Sequence, residues 1–219
     1  MIEIVLSGFF FWFIIVVNIV SGRFGYETFS DLNAKAKLQK IASNPKKFKT
    51  SLRFIVVEHF ALFALAVVLF FTFGSYSIIL AVVWTVSRSL EALIQIYYKK
   101  IYWGIANLAK QYSSANDDKK ASIVDSAGSV LKTKNTVFVF AQLLFSIGTL
   151  AYSIVFATQT TVVPDLLGWF GIIASVIYGV GSGVNIFKPD SKAIWNVGGL
   201  SILVFELILG GWLLFYPII

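Results

Sequence analysis

The sequence predicts an all-α integral membrane protein, a bundle of six transmembrane helices with short amphipathic helices on its cytoplasmic side, forming one six-span domain over residues 1–219. Three observations carry this reading. The 219-residue chain is 58% hydrophobic and only 13% charged, with a mean hydropathy of +0.81, which is more apolar surface than a globule of that size can hide from water. Its apolar residues gather into six runs long enough to cross a bilayer, about 2–22, 54–74, 75–98, 135–159, 163–187 and 193–216. Stretches such as FFFWFIIVVNIV and HFALFALAVVLFFTF are apolar on every side, whereas a transmembrane barrel alternates apolar and polar residues.

The first run carries Glu3 in place of a basic leader, and it exceeds the about 7–15 apolar residues of a secretory signal, so it reads as a retained span. In FSDLNAKAKLQKIASNPKKFK, Ala34, Leu38 and Ile41 share one helical face while Lys35, Lys37 and Lys40 occupy others. A short surface helix follows from that pattern, with Ser30 or Asp31 as its cap and Asn44-Pro45 as its stop. The turn FGSYS is too short for anything but a helical hairpin between the second and third spans, and ATQTTVVPD makes the same connection between the fourth and fifth.

Beyond the third span, Ile101, Ile105, Leu108 and Tyr112 keep a helical stripe going until SSANDDKK interrupts it. A separate short helix with Ile123, Ala127, Val130 and Leu131 on one face then leads into the fourth span. Tyr97, Tyr98, Tyr102 and Trp103 beside Lys99 and Lys100 read as an interfacial aromatic belt. In the fifth span, Gly179 and Gly183 lack the strand and spacing of a nucleotide loop and mark close helix packing.

Charge sets the orientation. Of the 18 basic residues, eight lie between the first and second spans, seven between the third and fourth, and Lys188 and Lys192 between the fifth and sixth, which leaves Arg88 alone inside a span. The positive-inside rule then puts the basic loops in the cytoplasm and both termini outside a plasma membrane. The net charge of +7 is explained by this topology and by anionic lipid at the cytoplasmic face, not by nucleic acid. With no cysteine and one histidine, disulfide, thiol and multi-histidine metal chemistry are excluded, and no cofactor or metal site is expected.

Trp84, Arg88, Glu91 and Gln95 recur at i, i+4, i+7 and i+11, so all four share one face of the third span. A charge near the bilayer centre costs about 2.5–3.5 kcal/mol on insertion scales, so that face turns inward and its charges need partners. Glu91 is one turn from Arg88, and Glu206 of the sixth span lies at a compatible depth as a second partner. Glu58 and His59 extend the cluster toward the cytoplasm, with His59 by itself read as an interfacial contact. The expected function is a polar intramembrane site for a small ligand, proton or lipid, extending to transport, in a non-catalytic protein. The competing readings are an ion network that only fixes helix register, an accessory or scaffold subunit of a larger membrane complex, and a membrane hydrolase using Glu58 and His59 as acid and base. The small size and the lack of an evident inverted repeat argue against a lone secondary transporter, so a homo-oligomer is expected if transport is the task.

The segments NPKKFKTSLRF, SRSLEALIQ, VPDLLGWFGIIASVIYG and FELILGGWLLF together resemble the prokaryotic membrane-protein family of domain of unknown function 4386, over most of the chain. The resemblance implies a six-span helical bundle without an assigned activity. Its motif positions fall on Arg88 and Glu91, on Pro164, Leu167, Gly168 and Trp169, and on Glu206 and Trp212. Asp165 departs from the basic residue usual after that proline.

Overall fold

The computed structural model describes residues 1–30, 32–188 and 193–216. Asp31 and Lys192, each given a role in the sequence, lie outside the described residues. Eight helices make up the rest: α1 (Ile2–Arg23), α2 (Ala34–Ser43), α3 (Pro45–Phe73), α4 (Ile78–Trp103), α5 (Ile105–Ser114), α6 (Asp117–Thr158), α7 (Asp165–Phe187) and α8 (Ala193–Phe215). Six segments are long and apolar enough to cross a membrane: α1, α3, α4 continued by α5, α6, α7 and α8.

These six close into a ring, each packing on the next: α1 on α3, α3 on α4, α4 on α6, α6 on α7, α7 on α8, and α8 back on α1. Within the apolar window of α6, 61% of residues are buried, against 33–44% in the other spans, so α6 is the most enclosed member of the ring. The short links 74–77 and 159–164 lie at one end of the ring, while α2, α5 and the lysine-bearing ends of α3, α4 and α6 lie at the other, the basic end.

Several local expectations change. The helix α3 begins at Pro45, well before the expected start near 54, because Asn44 is a cap rather than only a stop: its Oδ1 accepts from the Lys47 amide at 2.9 Å, and Pro45 fits the first helical turn, where no amide is needed. The cap of α2 is Asn33, which accepts from the Ala36 amide at 3.1 Å, not Ser30. The helix expected before the fourth span and the span itself are one 42-residue helix, α6. The buried positions Ala127, Leu131, Lys134, Asn135, Phe138, Gln142, Phe145, Thr149, Tyr152 and Phe156 run in phase along its whole length, so nothing ends the helix near residue 134.

In α7, Gly179 packs near Ser146, but Gly183 meets open space. The close approach belongs to Gly181, where a methyl group would come within 2.6 Å of the Trp195 backbone. The aromatic belt is also divided: Tyr97 is exposed, whereas Tyr98 and Tyr102 are buried.

Two of the three apolar clusters among the described residues stack along the ring axis. One, toward the end opposite the basic loops, gathers Phe11, Leu69, Phe73, Trp84, Tyr152, Phe156, Phe205 and Leu209. The other, at the basic end, gathers Leu38, Leu52, Ile55, Tyr102, Ile105 and Leu131. A layer of buried polar side chains lies between them.

Candidate functional site

The polar layer is built on α4, whose inward face buries Trp84, Arg88, Glu91 and Gln95, as their spacing requires. Counting about 1.5 Å per residue, Arg88 lies about 15 Å from the start of α4 and Glu206 about 14 Å from the end of α8, so both sit at the same level. Arg88 Nη1 is 2.8 Å from Glu91 Oε2, and the guanidinium carbon stands 4.2 Å from the centre of the Phe145 ring of α6. Buried in this way, the cation has both a counter-charge and an aromatic face.

Gly148 of α6 makes that geometry possible. A β-carbon there would sit 2.7 Å from Arg88 Cγ and 2.8 Å from Cδ, so the aliphatic stem of Arg88 occupies the space a side chain would fill. Sequence reasoning passed over Gly148, because a lone glycine in an apolar span resembles any packing glycine.

Arg88 and Glu206 form no direct bridge: among the described residues the ion pair of Arg88 is with Glu91. The reason is geometric, since Glu91 reaches the guanidinium from the next turn of the same helix while the stem leans toward α6. Glu206 is half-buried, interacts through space with Arg88 and Glu58, and has no hydrogen bond or ion pair among the described residues. Glu91 in turn is within electrostatic range of Arg88, His59, Glu58 and Glu206.

His59 is buried inside the ring rather than at the interface. Its Nδ1 lies 2.6 Å from the Ile55 carbonyl and 3.1 Å from Glu58 Oε2, which leaves Nε2 buried without a hydrogen-bond partner. Trp84 Nε1 is likewise buried and unpartnered. Gln95 accepts from Lys99 Nζ at 3.3 Å, and Gln142 of α6 accepts from the Tyr178 hydroxyl of α7 at 2.9 Å. The structure thus brings Arg88, Glu91, Glu58, His59 and Glu206 into one electrostatic cluster, flanked by Trp84 on the dry side and Gln95 on the basic side.

Below this layer, residues 24–30 fold across the basic end as a strap. Gly25, at φ +92, adopts a left-handed turn that sends the Tyr26 ring into the bundle. Lys134 Nζ donates to the carbonyls of Glu27 and Thr28 at 2.8 Å each, and the Asn135 side chain closes two 2.9 Å hydrogen bonds with the backbone of Ser30. Tyr26 lies 5.3 Å beneath each of the Lys99 and Lys134 ammonium groups. Burial, with the nearby Glu58 charge, pushes its phenol well above the usual tyrosine range.

The Glu27 side chain points the other way, to Lys37 Nζ at 2.6 Å and Lys40 Nζ at 3.2 Å. Partial burial would raise its carboxyl, but hydrogen bonds and charge from Lys37 and then Lys40 outweigh this and hold it below the usual carboxylate range. Lys99 and Lys134 read in the sequence as loop cations that set topology; the burial of Lys99 shows once α4 runs on to Trp103, and that of Lys134 once α6 is continuous through residue 134.

The family-like positions of the α6–α7 link act in packing. Trp212 Nε1 donates to the Val162 carbonyl at 2.7 Å, Leu167 enters the apolar core, and a methyl on Gly168 would collide with the Ala157 amide nitrogen. The family model of a domain of unknown function (DUF4386) matches residues 6–216. No curated protein and no solved structure matches the chain.

Proposed function

The chain belongs to the DUF4386 family of unknown function, and from the site itself we propose that this membrane protein binds and exchanges a proton at Glu206, coupled to the pairing of Arg88. The observation that carries the reading is that two carboxylates address one guanidinium: Glu91 holds it at 2.8 Å, and Glu206 feels its charge with no hydrogen bond or ion pair of its own among the described residues. A proton is the ligand that suits such a carboxyl, since a fully ionised, unpaired one is costly at this depth.

With Glu206 protonated, Arg88 belongs to Glu91. With Glu206 ionised, the guanidinium is drawn toward α8 and its hold on Glu91 loosens. The titratable groups facing this exchange are Glu91 and Arg88 of α4, Glu58 and His59 of α3, Tyr152 of α6 and Tyr178 of α7. From α1, which also packs on α8, none faces it, because no ionisable residue lies between Glu3 and Arg23.

The layer is asymmetric, and this gives the proton a direction. Toward the far end stand Trp84, Tyr152 and Phe205, all fully buried and apolar in bulk. Toward the basic end the charges continue from Glu91 to His59, Glu58 and Lys99, ending under the Tyr26 strap. By the positive-inside rule that end faces the cytoplasm, so exchange runs to the cytoplasmic side when the strap opens.

A double-mutant cycle in detergent tests the shared guanidinium. Arg88→Leu, Glu206→Leu and the double variant are compared by thermal unfolding, and a coupling of about 0.5–3 kcal/mol is expected, weaker where Glu206 is protonated. Additivity within about 0.5 kcal/mol at every pH sinks the reading.

A further inference from the structure

At the basic end, α1, α2 and α3 enclose a cavity of about 240 Å3. Lys37, Lys40 and Lys47 supply its charged lining, and Phe24, Ile41 and Phe48 its apolar walls. We propose that this cavity binds the phosphate of an anionic headgroup, independently of the proton site inside the ring.

One anion is already recognised here by the protein itself: the Glu27 carboxylate bridges Lys37 at 2.6 Å and Lys40 at 3.2 Å. The geometry of the two ammonium groups is therefore that of a carboxylate or phosphate oxygen pair. Among the described residues, the Glu27 carboxylate is the ion-pair partner of Lys40, and no carboxylate is paired with Lys47, the first-turn lysine of α3. The Lys40 side chain is 65% exposed, which leaves it free to turn from Glu27 toward a second anion.

The apolar walls identify the source. Phe24 directly follows the α1 span and contacts Phe54 of α3 at a ring separation of 5.5 Å, so the cavity opens where a spanning helix leaves the bilayer. A phosphodiester seated on Lys40 and Lys47 would keep its acyl chains along α1 and α3 and cover the exposed part of the Phe24 ring, which a free phosphate would leave bare.

The test is thermal unfolding of the full chain in neutral detergent with added phosphatidylglycerol, phosphatidylcholine or inorganic phosphate. Phosphatidylglycerol should raise Tm by about 2–4 °C or more in a saturable way, and phosphatidylcholine should not. The double variant Lys40→Ala with Lys47→Ala changes only residues at the cavity mouth and should lose most of that shift, while Lys110→Ala, exposed on α5, should keep it. Should inorganic phosphate alone reproduce the shift, the phosphate site stands and its ligand is soluble. An equal shift with phosphatidylcholine, or an undiminished shift in the double variant, overturns the proposal.

Discussion

Two of the protein's carboxylate–cation pairs have similar lengths and similarly buried cations, and they differ in how far water reaches the carboxylate. In mid-bundle, Arg88 and Glu91 meet at 2.8 Å with 5% and 2% of their side chains exposed. At the basic end, Glu27 meets Lys37 at 2.6 Å while 31% of its side chain remains exposed. Water reaches the second pair and screens it; at the first, each charge depends on the other. Length alone therefore says little about what a pair contributes, and the environment decides.

This contrast fixes the order of expected effects. Arg88→Leu strands Glu91 beside Glu58 and Glu206 with no cation among them except those further down the layer, so it should cost about 3–5 kcal/mol, seen as a large fall in Tm or in folded yield. A loss under about 1 kcal/mol would mean that the interior is wet enough to treat Arg88 as a surface charge.

Lys134→Met is intermediate. It keeps the apolar stem but removes two 2.8 Å bonds to the carbonyls of Glu27 and Thr28, so about 1–3 kcal/mol is expected. Hydrogen exchange at residues 24–30 should rise before exchange in the α6 core does. Uniform loss of protection across both regions would show that the strap is not a separate closing element.

Glu27→Gln should be mildest, at most about 1 kcal/mol near neutral pH. Because Lys37 and Lys40 hold the Glu27 carboxyl below its unfolded value, its contribution is full above the ordinary carboxylate range and is lost as pH falls through the folded value. The Tm difference between native protein and variant should therefore shrink as the medium is acidified below about pH 4. A difference that grows on acidification contradicts this assignment.

Much of the bundle was legible in the sequence because lipid imposes length and polarity on every span. The inward face of α4 was legible too, since Trp84, Arg88, Glu91 and Gln95 keep helical spacing inside an apolar run. The partner of Arg88 was only half legible: spacing gives Glu91, but whether Glu206 bonds depends on where the arginine stem lies, and Gly148 decides that from another helix. Lys99, Lys134 and Asn135 were hidden for a different reason. In sequence Lys99 and Lys134 belong to a charged loop and Asn135 opens the fourth run, and only the unbroken phase of α6 turns the latter two inward, where they tie down a strap more than a hundred positions earlier in the chain.

The central claim is that Glu206 gains and loses a proton in concert with Arg88. Infrared difference spectroscopy of the protein in lipid, titrated through pH and compared with Glu206→Gln, reads carboxyl protonation directly. The account expects a protonated-carboxyl band that titrates in the native protein, vanishes in Glu206→Gln, and moves in Arg88→Lys, where a positive charge remains but the two-pronged guanidinium does not. An identical set of titrating carboxyl bands in the native protein and Glu206→Gln would contradict it.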